Sequence, residues 1–128
     1  GGILIKQAID LLNKYLETNQ EDTEAWAELA DIYSKTSAMQ GSFRYEEIVL
    51  KEPKNYLVNL RYAEILYASS SNRDRLGDLV NARKYFSHAA VLKEGVPEAR
   101  AMWGLLKTCQ AIHKINKKTP LVGILRSI

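Results

Sequence analysis

Two histidines, one cysteine and a cluster of lysines are the residues whose types could announce a reaction or a bound ion. A helical zinc site needs two histidines one turn apart, as in H-E-x-x-H, and His88 and His113 are not in such a spacing. His88 lies in Lys84-Tyr85-Phe86-Ser87-His88 and reads as a solvated residue. Cys109 reads as a packed thiol on a helix. A single thiol makes no internal disulfide, which suits a reducing compartment. Neither a G-x-G-x-x-G turn nor a P-loop is present. The expectation is therefore a chain with no catalytic, metal-binding or cofactor-binding residue and no small-molecule substrate.

The lysines belong to a charge asymmetry. Residues 1–98 carry 12 Lys+Arg against 15 Asp+Glu, a net of −3, and residues 99–128 carry six basic residues and no acid. An acidic body with a basic end points to different partners for the two parts, or to contact between them. Lys114, Lys117 and Lys118 could meet phosphates. However, residues 107–128 hold no aromatic that would stack on bases, so nucleic acid is a disfavoured partner. Basic residues beside the apolar Leu121–Leu125 also resemble a weak interfacial segment.

Helices must carry these residues, and the sequence shows how they are arranged. Three segments read as a small residue, a bulky one four positions on, and an apolar one three after that: Ala8/Leu12/Tyr15, Gly41/Tyr45/Ile48 and Ala82/Phe86/Ala89. Those spacings put each triplet on one helix face. Three further segments place a bulky residue directly before a small one: Leu29-Ala30, Tyr62-Ala63 and Trp103-Gly104. From Ala8 to Ala30, from Gly41 to Ala63 and from Ala82 to Gly104, the step is 22 residues each time. The step inside a hairpin varies, 11 from Ala30 to Gly41 and 19 from Ala63 to Ala82. Length variation confined to one class of turn is what stacked helical hairpins require. The small residues Ala30, Ala63 and Gly104 should sit at close helix crossings.

The expected class is all-α, a solenoid of antiparallel hairpins. Helices are expected at about 4–17, 23–34, 40–50, 56–69, 79–93 and 97–115, starting at Thr23 as a cap and at Pro97 as a first-turn proline. The array fills residues 1–112: a half repeat over 4–21, repeats over 23–55 and 56–96, and the first helix of a third over 97–112. Residues 113–128 follow as a basic linker and the start of a further helix or tail. Residues 69–75 are expected to form an exposed loop. The Gly1-Gly2 start carries no signal-peptide pattern and reads as the edge of a longer array. No apolar run reaches the roughly 20 residues that span a bilayer.

Trp26, Leu29, Ala30 and Tyr33 resemble the W-x2-L-G-x2-Y signature of the tetratricopeptide family, with Ala30 in place of glycine. Ala82, Phe86 and Ala89 are similar to its A-x3-F-x2-A half, and Pro53 to its closing proline. Asn59 and Glu94 depart from it, standing where an aromatic and a proline are usual. The resemblance implies that Ala8, Trp26, Leu29, Ala30, Tyr33, Gly41, Tyr45, Ala63, Ala82, Phe86, Ala89 and Gly104 pack the repeats together. It also implies a partner-binding inner wall on the first helix of each hairpin. By repeat position that wall is Glu24, Ala27, Asp31, Ser34, Leu57, Leu60, Glu64, Tyr67, Ala101, Leu105 and Thr108. The wall is acidic at one end, with an apolar middle suited to an extended or helical segment, and a basic residue of that segment would lie near Asp31. The lysine and asparagine set that grips C-terminal carboxylates in some family members is absent.

The runs from Ala8 to Glu17 and from Glu24 to Tyr33, together with Tyr62-Ala63-Glu64 and the segment from Ala82 to Ala89, are similar to the family of the second subunit of the ER membrane protein complex. The similarity covers roughly residues 6–107 and departs at residues 69–79. It implies a non-catalytic scaffold held peripherally on the cytoplasmic face of the endoplasmic reticulum, contacting other subunits of a complex that inserts transmembrane segments. A general adaptor for a soluble peptide-bearing partner and an RNA-associated repeat protein are the alternatives.

Overall fold

The computed structural model describes residues 2–69, 74–93, 95 and 98–118, and these form six helices. They are α1 (Gly2–Thr18), α2 (Thr23–Thr36), α3 (Ala38–Lys51), α4 (Tyr56–Ser69), α5 (Arg75–Leu92) and α6 (Ala99–Lys118). Neighbours in sequence pack against each other: α2 with α3, α4 with α5, and α5 with α6, while α3 joins the two hairpins through α4. This is an all-α stack of antiparallel hairpins.

Short polar signals set the helix ends. Asp22 rather than Thr23 caps α2, its carboxylate accepting from the Ala25 amide at 3.1 Å. Thr23 instead donates its hydroxyl to Glu52 at the end of α3, which ties the two ends of that hairpin together. Ser37 closes α2 and caps α3, accepting from the Gln40 amide. α5 starts at Arg75, four residues earlier than the hydrophobic pattern indicates, because Asp74 accepts from the Gly77 amide at 2.9 Å. The ends of the expected 69–75 loop thus belong to helices. Ser69 is buried in α4, its hydroxyl donating to the Leu66 carbonyl, and Asp74 is the α5 cap. Residues 70–73 lie outside the described residues, as do Glu94, Pro97 and 119–128, where a closing position, a helix start and a further helix are expected. α6 runs on through Asn116, Lys117 and Lys118, a stretch expected to be linker.

The main core lies between the two hairpins and α6. Ala30, Tyr45, Ala63, Ala82, Phe86 and Ala89 are all buried in it, together with Leu60 and Ala101. A smaller cluster joins Leu16 of α1 to Ala25 and Leu29 of α2, with Ile9, Leu12, Trp26 and Tyr33 packed against it. Glycine is required at two crossings. A methyl on Gly41 would lie 2.7 Å from the Ser34 Cα, and one on Gly104 would lie 2.5 Å from the Phe86 Cζ. Asn59, in place of the family's aromatic, is fully buried and donates to the carbonyls of Pro53 (3.0 Å) and Asn55 (2.8 Å), so it fastens the α3–α4 turn from inside. α4 is apolar nearly all round, as befits a helix enclosed by α3, α5 and α6.

Candidate partner-binding groove

The inner wall is built from α2, α4 and α6, the first helices of successive hairpins. Charged side chains cross it between helices. Asp31 of α2 meets Arg61 of α4 at 3.2 Å. Glu64 of α4 takes Arg100 of α6 in a two-pronged bond, Nε to Oε2 at 2.8 Å and Nη2 to Oε1 at 2.6 Å. That bond raises the Arg100 pKa above its usual value and provides the geometry in which arginine binds carboxylate best. Asp31 is also held from behind, accepting from the Tyr45 hydroxyl at 2.5 Å. Burial, first, and then the Asp31 carboxylate push the Tyr45 phenol well above its ordinary range, so it stays a donor at any physiological pH.

Two adjoining hollows follow from this. One is lined by Asp31, Ser34, Arg61, Glu64, Ile65, Ala68 and Arg100. The other holds Thr23, Glu24, Ala27, Glu28, Asp31, Asn55, Leu57, Val58 and Arg61. Asp31 and Arg61 are common to both and divide them. Of the residues expected on the wall, Glu24, Asp31, Ser34, Leu57 and Glu64 line these hollows. Ala27 borders one but is itself buried. Leu60, at 0% exposure, and Ala101 and Thr108 face the core instead, because α4 and α6 turn those positions toward neighbouring helices. Tyr67 and Leu105 are half-buried against the core, and Lys107 lies over the Tyr67 ring. The apolar middle of the wall therefore shrinks to Leu57, which is 40% exposed. The basic group beside Asp31 is supplied by the chain's own Arg61.

Among the lining residues outside the expected wall are Arg61 and Arg100, which form its two ion pairs. Asp31 and Glu64 each directly follow a small crossing residue, Ala30 and Ala63, but Arg61 stands two residues before Ala63 and Arg100 four before Gly104, so no single repeat position marks the basic partners. Of the packing set, Leu29, Ala30, Gly41, Tyr45, Ala63, Ala82, Phe86, Ala89 and Gly104 are buried, while Ala8, Trp26 and Tyr33 are partly so. Cys109 is exposed rather than packed. His88 is exposed and meets the Tyr85 ring edge to face. Among the described residues, no three His, Cys, Asp or Glu side chains come together as metal ligands.

Residues 3–75 match the family model for the EMC2 TPR-like repeat domain, which covers more than half of the chain. The chain belongs to the EMC2 TPR-like repeat family. Within that family it is 38% identical over 100 residues to ER membrane protein complex subunit 2 of Xenopus tropicalis, a match covering 77% of this chain and 32% of the relative. The same figures hold for subunit 2-A of Xenopus laevis. It is 32% identical over 117 residues to the TPR repeat protein oca3 of Schizosaccharomyces pombe, covering 88% of this chain and 39% of that protein. The chain thus spans between about a third and two-fifths of the length of these relatives.

Proposed function

We propose that this chain is the repeat segment of a non-catalytic scaffold subunit of an ER membrane protein complex. Its repeats are those read from the spacing, 23–55 and 56–96, flanked by a half repeat and a further first helix. It binds other subunits and sits on the cytoplasmic face of the membrane through them, in support of transmembrane-segment insertion. The names of its relatives support the assignment to such a complex. A peripheral position agrees with the described helices, none of which is long and apolar enough to cross a membrane.

The observation that carries the binding role is the inner wall itself. Two hollows share the Asp31–Arg61 pair, and Leu57 is exposed beside it. A segment of another subunit lies there with one apolar side chain on Leu57. Its charged groups exchange with Asp31, Arg61, Glu64 and Arg100. The test is Leu57→Asp combined with Glu24→Lys, both on exposed positions. Leu60 is unsuitable because an aspartate there would bury an unpaired charge. Co-purification of the other subunits from detergent-solubilised membranes should fall at least tenfold while helicity and melting temperature hold. Unchanged co-purification would move the contact to the convex face or the basic end.

A further inference from the structure

The outward faces of α3 and α5 carry apolar side chains that the repeat does not need. Met39 and Val80 stand two residues before Gly41 and Ala82, the equivalent small residues of the two helices. Leu50 and Val91 stand nine residues after them. Met39, Val80, Leu50 and Val91 are exposed by 73%, 38%, 75% and 82%. The same two positions around Ala8 of α1 hold Lys6 and Glu17, both exposed, so packing of the hairpins does not call for an apolar residue there. Phe43 lies between Met39 and Leu50, four and seven residues away, and completes one stripe on α3. Exposed apolar side chains gathered on one face mark an interaction site. Both helices have described neighbours on either side, α2 and α4 for α3, and α4 and α6 for α5. Repeats of a solenoid contact only the repeats next to them, so the exposure of these faces does not depend on where the array begins or ends.

Charge identifies the occupant. Between its two apolar positions α3 carries Glu46 and Glu47, whereas α5 carries Arg83 and Lys84, and all four are exposed. None of them joins the two ion pairs of the described residues, Asp31–Arg61 and Glu64–Arg100. An anionic lipid surface would be repelled by Glu46 and Glu47, and a peptide of one sign would meet like charge on one of the two helices. The occupant has to offer base to α3, acid to α5, and apolar side chains at the same spacing. A second copy of the chain does so. Successive second helices run in the same direction, so a two-fold axis parallel to α3 and α5 and passing between them sets α3 of one copy on α5 of the other at equal height. Met39 then meets Val80, and Leu50 meets Val91. Glu46 and Glu47 lie four residues, about 6 Å along the axis, from Arg83 and Lys84 of the other copy, a gap that such long side chains span.

We propose that the chain forms a two-fold dimer through the outward faces of α3 and α5, with α3 of each copy lying on α5 of the other. The contact is isologous, so it closes at two copies. It uses the second helices of the hairpins, whereas the inner wall uses the first, so it neither rests on the groove reading nor blocks the groove.

Sedimentation velocity on the full chain, from low to high micromolar, tests it. The wild type should pass from monomer to dimer with concentration and grow no further. Two variants separate the charges. Glu46→Lys with Glu47→Lys makes both stripes basic, and Arg83→Glu with Lys84→Glu makes both acidic. Each alone should dimerise at least tenfold more weakly than the wild type, because like charges then face each other. Mixed one to one, they should form a heterodimer at wild-type concentrations, since each α3 meets the opposite charge on the other α5. Leu50→Asp should also weaken the dimer at least tenfold with helicity unchanged, and it serves as a separate reading should a charge variant fold poorly. A wild type that stays monomeric throughout overturns the proposal and leaves the face to another protein. So do assemblies that grow beyond two copies, charge variants that dimerise alone as the wild type does, and a mixture of the two folded variants that remains monomeric.

Discussion

Helix α1 and the α4/α5 hairpin follow the same repeat pattern and are packed very differently. Ala8, Leu12 and Tyr15 correspond to Ala82, Phe86 and Ala89, yet all three of the latter are buried while the former are partly or largely exposed. Leu16 is the one buried residue of α1 among those described, whereas seven residues of α4 are buried. The pattern alone does not bury a side chain. Burial requires two facing helices, and α5 lies between α4 and α6, while among the described residues α1 packs chiefly on α2.

The sharpest way to break this contrast is to empty the two equivalent positions. Phe86→Ala should cost about 3–5 kcal/mol, the range for removing a buried ring, with a matching loss in urea midpoint. Leu12→Ala should cost well under half of that, since Leu12 keeps solvent on one side. Equal losses would mean that α1 is as tightly held as α5. Smaller effects are expected from closing the crossings. Ala63→Leu and Gly41→Ala should each cost about 1–3 kcal/mol by overpacking, because Ala63 has no exposed surface and Gly41 abuts the Ser34 backbone. Wild-type melting in both would refute the 22-residue register.

The smallest effect concerns pH and should fall on the α1 end. The Tyr15 hydroxyl, 2.6 Å away, and then the Ala25 amide hold the Asp22 carboxyl below its usual value. The Thr23 hydroxyl and then the Asn55 amide do the same for Glu52. A depressed carboxylate stabilises the fold above its unfolded pKa, and that contribution is lost as pH falls through the folded value. Acidification below the ordinary carboxylate range, around 4, should therefore loosen the junction of α1, α2 and α3 before the α4/α5 core. Hydrogen exchange at the Ala25 amide would report it. Asp22→Asn keeps a cap and should flatten that dependence.

Much of the architecture was legible because a stacked hairpin restricts sequence at its crossings. Ala30, Ala63 and Gly104 had to be small, and their constant step from the preceding second helix revealed the register. The start of α5 was hidden because Arg75 and Asp78 break its apolar pattern, although Asp74 two residues before Leu76 was a readable cap. The inner wall was the least legible part. Leu60 and Ala101 occupy wall positions by repeat analogy. Yet α4 is enclosed on several sides, and its lack of a single apolar face was the clue that Leu60 turns inward. Trp103 followed the rule for its position and is exposed only because nothing described covers it.

The Asp31–Arg61 and Glu64–Arg100 bridges have a mechanical consequence. They tie α2 to α4 and α4 to α6 along one edge of the stack, while apolar packing through α3 and α5 holds the other. Partly exposed ion pairs contribute about 0–1 kcal/mol each, far less than the packed edge. The array is thus a spring with one stiff side and one soft side. The ionic edge should therefore be the more compliant one, its two bridges weakening as ionic strength rises.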